Sequence, residues 1–155
     1  MRSKTMLGVL LASAVSAAPV AGAEKKMTLE ALPAAVQKTV REHSQGATIK
    51  NIVQEAEDGK TVYEVETTVA GRKKDFLVGA DGTLLDAELE VPLSDLPPAV
   101  RSSLEKSAAK GQILLVESVT KDGTLKYYEA QVRIGGKQKE LKLAPDGSRF
   151  VEKKK

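Results

Sequence analysis

Apolar and polar residues alternate along several short stretches of the chain, which is typical of β-strands with one buried face. The clearest stretch spans residues 61–69, between Asp58-Gly59 and Ala70-Gly71. Asp-Gly favours a tight hairpin turn, because both central positions of that turn need φ > 0. The alternation over residues 47–56 is imperfect, which suggests a bulge. We predict antiparallel strands over residues 47–56, 61–69, 72–79 and 83–89.

A helical period precedes these strands. Apolar residues recur every three or four positions from Leu32 to Val40, with polar residues between them. Pro33 suits the first turn of a helix, where its missing N–H costs nothing. Gly46 favours a helix end. We therefore predict one amphipathic helix over about residues 33–45.

The helix and its strands occur twice. Residues 93–100 lie 64 positions after residues 29–36, and Asp122-Gly123 follows Asp58-Gly59 at the same spacing. One inserted residue changes the spacing to 65, at which Tyr128-Glu129 follows Tyr63-Glu64. Such a repeat indicates internal duplication of one supersecondary unit. We predict an α+β fold of two tandem repeats, each with one helix packed on a four-stranded antiparallel sheet. The predicted boundaries are 24–89 for repeat 1, 90–152 for repeat 2 and 153–155 for a basic tail, with a short last strand over 148–151.

The alternation divides the sheet residues between a buried face and a polar face. The residues predicted to pack under the helices are Tyr63, Val65, Phe76, Val78, Tyr128, Ala130, Val132, Ile134, Leu141 and Leu143. The polar face is predicted to carry Glu64, Glu66, Lys73, Asp75, Glu129, Gln131, Arg133, Gln138, Glu140 and Lys142. One face of an antiparallel sheet can remain in water, and we expect the polar face to do so. Its candidate partner-contact residues are Glu64, Glu66, Lys73, Glu129, Gln131 and Arg133.

Residues 1–23 have the composition of a secretory signal peptide. Arg2 and Lys4 precede a short apolar run, and Ala21-Gly22-Ala23 offers a cleavage site before Glu24. The run is too short to span a bilayer, and Pro19 interrupts it. We expect a periplasmic or secreted protein without a membrane segment after cleavage, whose first residues, 24–27, are frayed.

Composition excludes several classes of function. The chain has no cysteine, which excludes a disulfide, a thiolate nucleophile and cysteine-ligated zinc. Its formal charge of +3 falls to about +1 without Arg2 and Lys4. Nucleic-acid binding would require a large, clustered basic excess, so we expect no nucleic-acid partner. With few aromatic residues, one cooperative body is a better expectation than two independent halves.

The residues that could carry chemistry have simpler structural interpretations. His43 is the only histidine, and neither a nucleophile nor an orienting residue accompanies it in the sequence. The four Asp-Gly pairs lack the spacing of a calcium-binding loop and fit hairpin corners. Glu64 and Glu129 could suggest paired catalytic carboxylates, but cross-strand ion pairs explain them better. We therefore predict no enzyme activity, no metal site and no cofactor.

The repeated pattern Leu-Pro-x-Ala-Val, Asp-Gly-x-x-Tyr-Glu-Val, Gly and a final Asp-Gly resembles PepSY-like domains, a group also described as β-lactamase-inhibitor-like. Both repeats match, over about residues 29–88 and 93–151. The second departs at Lys126-Tyr127-Tyr128, which carries the insertion, and at Ala130. The resemblance implies secreted or periplasmic α+β modules, some of which restrain metallopeptidases or present a sheet surface to a target enzyme. It transfers no inhibitory residue.

Two functional hypotheses follow. The first is an exported, non-enzymatic binding module that inhibits or restrains a peptidase or another cell-envelope enzyme, with a protein of the cell envelope as its partner. The alternative is a soluble periplasmic sensor or carrier that binds a small ligand or a cation between the two repeats. The sequence identifies neither the partner nor the oligomeric state.

Overall fold

The computed structural model describes residues 24–151, so the predicted signal peptide and the basic tail lie outside the described residues. The helices are α1 (Ala34–His43) and α2 (Pro98–Ala108), each preceded by a 3₁₀ turn, Leu29–Ala31 and Leu93–Asp95. The strands are β1 (Lys25–Lys26), β2 (Thr48–Glu57), β3 (Lys60–Val69), β4 (Arg72–Gly79), β5 (Leu84–Glu90), β6 (Gln112–Lys121), β7 (Thr124–Ile134) and β8 (Lys137–Leu143).

Within residues 24–151 the strands form a single sheet of eight, in sequence order and antiparallel throughout. The two halves of the chain join where β5 pairs with β6. The strand predicted over 148–151 is reduced to one bridge, between Leu143 and Arg149. The sheet is therefore continuous, and β5 links the halves as the neighbour of both β4 and β6.

Both helices pack on the same side of the sheet. Val36 and Val40 of α1, with exposed fractions of 0%, lie in a core with residues of β2, β3 and β4. Val100 and Leu104 of α2 are equally buried in a second core with β6, β7 and β8. The residues predicted to lie under the helices belong to these two cores or pack against them, namely Tyr63, Val65, Phe76, Val78, Tyr128, Ala130, Val132, Ile134, Leu141 and Leu143.

The Asp-Gly pairs are of two kinds. Asp58 and Gly59 have φ of 48° and 75°, as the predicted hairpin turn requires, and Asp122-Gly123 repeats this geometry with φ of 50° and 71°. Gly82 instead lies against α1, where an added Cβ would stand 2.8 Å from the Ala35 carbonyl oxygen. Gly147 has the same relation to Ala99 of α2, at 2.6 Å. All four pairs therefore lie at corners between antiparallel segments, as predicted, and the corners at Gly82 and Gly147 also approach a helix.

The amino-terminal residues differ from the expectation of a frayed start. Lys25 and Lys26 pair with Gln54 and Val53 of β2, and the Met27 N–H donates to the Ile52 carbonyl at 2.9 Å. Backbone hydrogen bonding to an edge strand fixes this segment despite its polar side chains. The bulge suggested in β2 is present, as a register shift between Ile49 and Asn51.

The expectation that the polar face lies wholly in water was also wrong. Five of its residues are buried, with exposed fractions of 7% or less: Val62, Glu117, Val119, Tyr127 and Glu129. Strands in a sheet lie only about 4.8 Å apart. A long side chain on one strand can therefore cover a residue on the next, and such side chains cover part of this face. No helix in the described part of the chain is long and apolar enough to cross a membrane.

Candidate contact face

The six candidate contact residues lie on the polar face, opposite the helices. They form two groups, Glu64, Glu66 and Lys73 on β3 and β4, and Glu129, Gln131 and Arg133 on β7. Strands β5 and β6 separate the groups, so β4 and β7 are about 14 Å apart at the usual strand spacing. The structure therefore places these residues on one extended surface and does not gather them into a pocket.

Between the two groups, carboxylates stand directly opposite one another on neighbouring strands. One row consists of Glu66 on β3, Asp75 on β4 and Glu88 on β5, paired in register. We call these three residues the first carboxylate row.

A second row runs beside it. Glu90 on β5 is paired with Glu117 on β6, which is paired with Glu129 on β7; these three residues are the second carboxylate row. Like charges directly opposite on an antiparallel pair are destabilising. The two rows together extend from β3 to β7 and cross the junction between the halves.

Lysines neutralise part of this charge. Lys73 Nζ lies 3.5 Å from Asp75 Oδ2 and 3.7 Å from Glu117 Oε1. Lys142 Nζ lies 3.2 Å from both Glu129 Oε2 and Glu140 Oε1. Each lysine therefore connects two strands of the polar face, and the carboxylates still outnumber the cations.

Burial and the neighbouring carboxylates raise the pKa values of several carboxyl groups on this face. Burial, with the nearby charges of Glu117 and Asp86, raises the pKa of Glu88 to about 8. Burial and the charge of Glu55 raise the pKa of Glu64 to about 7. These two groups titrate near neutral pH, well above ordinary glutamates.

The buried members of the second row are affected in the same direction. Burial raises the pKa of Glu117, and the Lys73 ammonium opposes that rise. Burial and Glu140 raise the pKa of Glu129, with Lys142 acting against them. The polar face therefore changes its charge across the neutral pH range.

An aromatic pair closes the β7–β8 end of the polar face. The rings of Tyr127 and Phe150 lie 4.5 Å apart between centroids, and Lys142 Nζ is 5.0 Å from the centre of the Tyr127 ring. Burial raises the pKa of Tyr127 to about 12. Tyr127 therefore stays neutral at physiological pH and acts as a packing surface with a cation above it.

Sequence reasoning did not include Glu88, Glu90 and Glu117 among the candidate residues. A signal for the first two exists, since Asp86, Glu88 and Glu90 alternate along β5. Their significance depends on the pairing of β5 with β6, which the repeat could not reveal, because this pairing occurs once among residues 24–151.

The remaining candidates have structural roles. The ring of His43 packs 5.9 Å from Phe76, between centroids, and its carbonyl accepts from Lys74 Nζ at 2.6 Å. Asp81 accepts from the backbone N–H of Thr83 at 2.9 Å, which lowers the pKa of its carboxyl. Asp146 accepts from the hydroxyl and the backbone N–H of Ser148 at 2.7 and 2.8 Å, which lower the pKa of its carboxyl. Within residues 24–151, no three His, Asp or Glu side chains are grouped to hold a metal ion.

Comparison with known proteins identifies solved structures with a similar fold. The chain matches no protein-family model and no curated protein. It is similar to the crystal structure of a BLIP-like protein from Bacteroides fragilis, with 23% identity, a TM-score of 0.60, and coverage of 79% of this chain and 85% of that one. A protein from Bacteroides eggerthii assigned to the periplasm gives 16% identity and a TM-score of 0.64, covering 77% and 86%. A DUF2874 family protein from Bacteroides ovatus has 18% identity and a TM-score of 0.61, over 77% of this chain and 85% of that one. At these identities the likeness shows a shared α+β fold.

Proposed function

We propose that this protein is an exported, non-enzymatic binding module made of two PepSY-like units. It contacts a protein partner of the cell envelope through the polar face and restrains that partner, a peptidase or another envelope enzyme. The contact residues are Glu64, Glu66, Lys73, Gln131 and Arg133, with Glu129 holding Lys142 in place behind them.

The observation that carries this proposal is the polar face itself. Helices cover one side of the sheet, whereas no helix of residues 24–151 packs on the other. Paired strands on both sides hold most of its side chains in fixed positions, and such rigid presentation lowers the entropy cost of binding. A charged, preorganised surface of this size suits a protein partner better than a small ligand, which prefers a concave, largely apolar site.

Two further observations support the proposal. The solved structures with this fold include a BLIP-like protein and a protein assigned to the periplasm, which agrees with the signal peptide expected from residues 1–23. The chain also repeats its helix and hairpins at a spacing of 64 to 65 residues, as expected for two PepSY-like units.

Charge reversal on the polar face tests the contact. We expect the protein to retain a partner from periplasmic extract, and the double variant Glu66→Lys/Arg133→Glu to lose it. Lys38→Glu on α1 is the matched control, because Lys38 is 77% exposed on the helix side. Circular dichroism should show all three proteins folded. A partner retained equally by the double variant, or no partner at all, would refute the proposed face.

A second measurement tests the restraint. The captured enzyme, purified and assayed with increasing amounts of the protein, should lose activity in proportion to the complex formed. Unchanged activity in a saturated complex would contradict restraint and leave only binding.

Calorimetry with calcium, zinc and peptidoglycan fragments tests the carrier hypothesis, which predicts heats of binding without any protein partner.

A further inference from the structure

The two carboxylate rows meet at the only pairing that joins the halves of the described chain. Glu90 of β5 stands directly opposite Glu117 of β6 in that pairing. Glu88, two residues earlier, lies opposite Val119 and ends the first row. The β5–β6 pairing therefore holds the halves together while carrying carboxylates that repel one another across it.

Too few cations reach these carboxylates. The charged groups around Glu88 come from its own strand and from all neighbouring strands on the polar face; they are Asp75 and Lys73 on β4, Asp86 and Glu90 on β5, Glu117 and Lys121 on β6, Glu129 on β7 and Glu66 on β3. Lys73 pairs with Asp75 and Glu117, and Lys121 pairs with Asp86 at 3.5 Å. Within residues 24–151, no ion pair involves Glu88.

We propose that the carboxylate rows make the β5–β6 junction a proton-sensitive switch. With protons on Glu88 and Glu117, the two halves pair tightly; with both carboxyls ionised, their repulsion across β5 and β6 loosens the junction while each helix keeps its own core. This property belongs to the chain alone and does not depend on any partner.

The direction of the effect follows from proton linkage. The pKa of Glu88 is raised to about 8 in the folded protein, so the folded form binds more protons than the unfolded form between an ordinary glutamate pKa, about 4.3, and pH 8. The stabilisation is fully present below the unfolded pKa and is lost as the pH rises through the folded pKa. The junction is therefore tighter at pH 5.5 than at pH 8.5.

Hydrogen exchange measured by mass spectrometry tests the switch. Corrected for intrinsic exchange rates, the protection of the amides of Asp86–Glu90 and Glu117–Lys121 should fall about tenfold or more between pH 5.5 and pH 8.5. The amides of α1 and α2 should lose less protection. Glu88→Gln, a neutral side chain of the same size, should remove most of the fall. Glu105→Gln, exposed on α2, is the matched control and should behave as the unchanged protein.

Three results would overturn the proposal. The first is equal amide protection of the junction at both pH values. The second is a loss of protection that is as large in the helices as in the junction. The third is a loss of junction protection in Glu88→Gln as large as in the unchanged protein. Carboxyl ¹³C NMR of the unchanged protein provides a test that needs no variant. We expect at least one glutamate to titrate above pH 6.5, and titration of every glutamate below pH 5.5 would reject the switch.

Discussion

Gly82 and Gly147 fix the approach of a turn to each helix. Gly82 has φ of 87°, and a Cβ there would lie 2.8 Å from the carbonyl oxygen of Ala35. Thr39 strengthens the same contact, since its hydroxyl donates to the Gly82 carbonyl at 2.6 Å. Two effects therefore favour glycine at position 82, the positive φ and the close contact with α1.

Gly82→Ala should consequently cost more stability than Gly59→Ala. Gly59 also has a positive φ, 75°, but an added Cβ would meet nothing within 4 Å. We expect about 1 kcal/mol for Gly59→Ala from backbone strain alone and at least about 2 kcal/mol for Gly82→Ala, where α1 must also shift. Urea unfolding of both variants measures the difference. Equal costs would mean that the contact with Ala35 contributes nothing.

Ala109 gives a second prediction at a single residue. It ends α2 with φ of 49° and ψ of −121°, a backbone conformation that strains any residue with a Cβ. Ala109→Gly should therefore stabilise the protein by about 1 kcal/mol. The neighbouring Ala108→Gly should destabilise it by a similar amount or more, because Ala108 is helical and 2% exposed. Thermal unfolding distinguishes the two, and a loss of stability in Ala109→Gly would contradict the strained helix end.

At the scale of elements, the β7–β8 pair depends on one lysine. Lys142 contacts Glu129, Glu140 and the ring of Tyr127. Although burial lowers its pKa, the Glu129 carboxylate raises the pKa of Lys142 above the usual range. The side chain of Glu129 is only 8% exposed, so removing the lysine leaves a buried carboxylate without its cation.

Lys142→Met should therefore destabilise the protein by about 2 kcal/mol at pH 8. The loss should shrink towards pH 5, because the raised pKa of Glu129 lets that carboxyl take up a proton instead. Glu129→Gln/Lys142→Met should recover most of the stability at pH 8. Urea midpoints at the two pH values measure this cycle. A cost independent of pH, or no recovery in the double variant, would show that packing on Tyr127 matters more than the charge.

Alternation along β3 and β7 predicted which side chains share a face, since this property depends only on the two-residue period of a strand. It could not predict whether that face is covered. Glu129 was correctly placed opposite the helices, yet Lys142 and its neighbours bury it. Likewise, the register of β5 with β6 is set by packing between distant segments, so the opposition of Glu90 and Glu117 could not be inferred from local sequence.

At the scale of the molecule, two cores share one sheet. Each helix packs in a separate core. The halves meet mainly through the β5–β6 ladder and its continuation, where Val91 packs against the second core and its N–H donates to the Val116 carbonyl at 2.8 Å. Units of about 60 residues bury too little surface to be stable by themselves in most cases. The ladder therefore contributes to the stability of both halves.

Separating the chain between Val91 and Pro92 tests this dependence. Residues 24–91 and 92–151 should each show weak or no cooperative unfolding alone, since each would expose an unpaired edge, β5 or β6, as well as losing a neighbour. Mixed together they should form a one-to-one complex with the circular dichroism spectrum of residues 24–151, the intact control. The complex should be tighter at pH 5.5 than at pH 8.5, because the carboxyls of Glu88 and Glu117, whose pKa values are raised, repel each other across the joint when both are ionised. Analytical ultracentrifugation measures the association. A fragment that unfolds alone at the urea midpoint of the intact chain would show that the halves are independent domains on a merely continuous sheet.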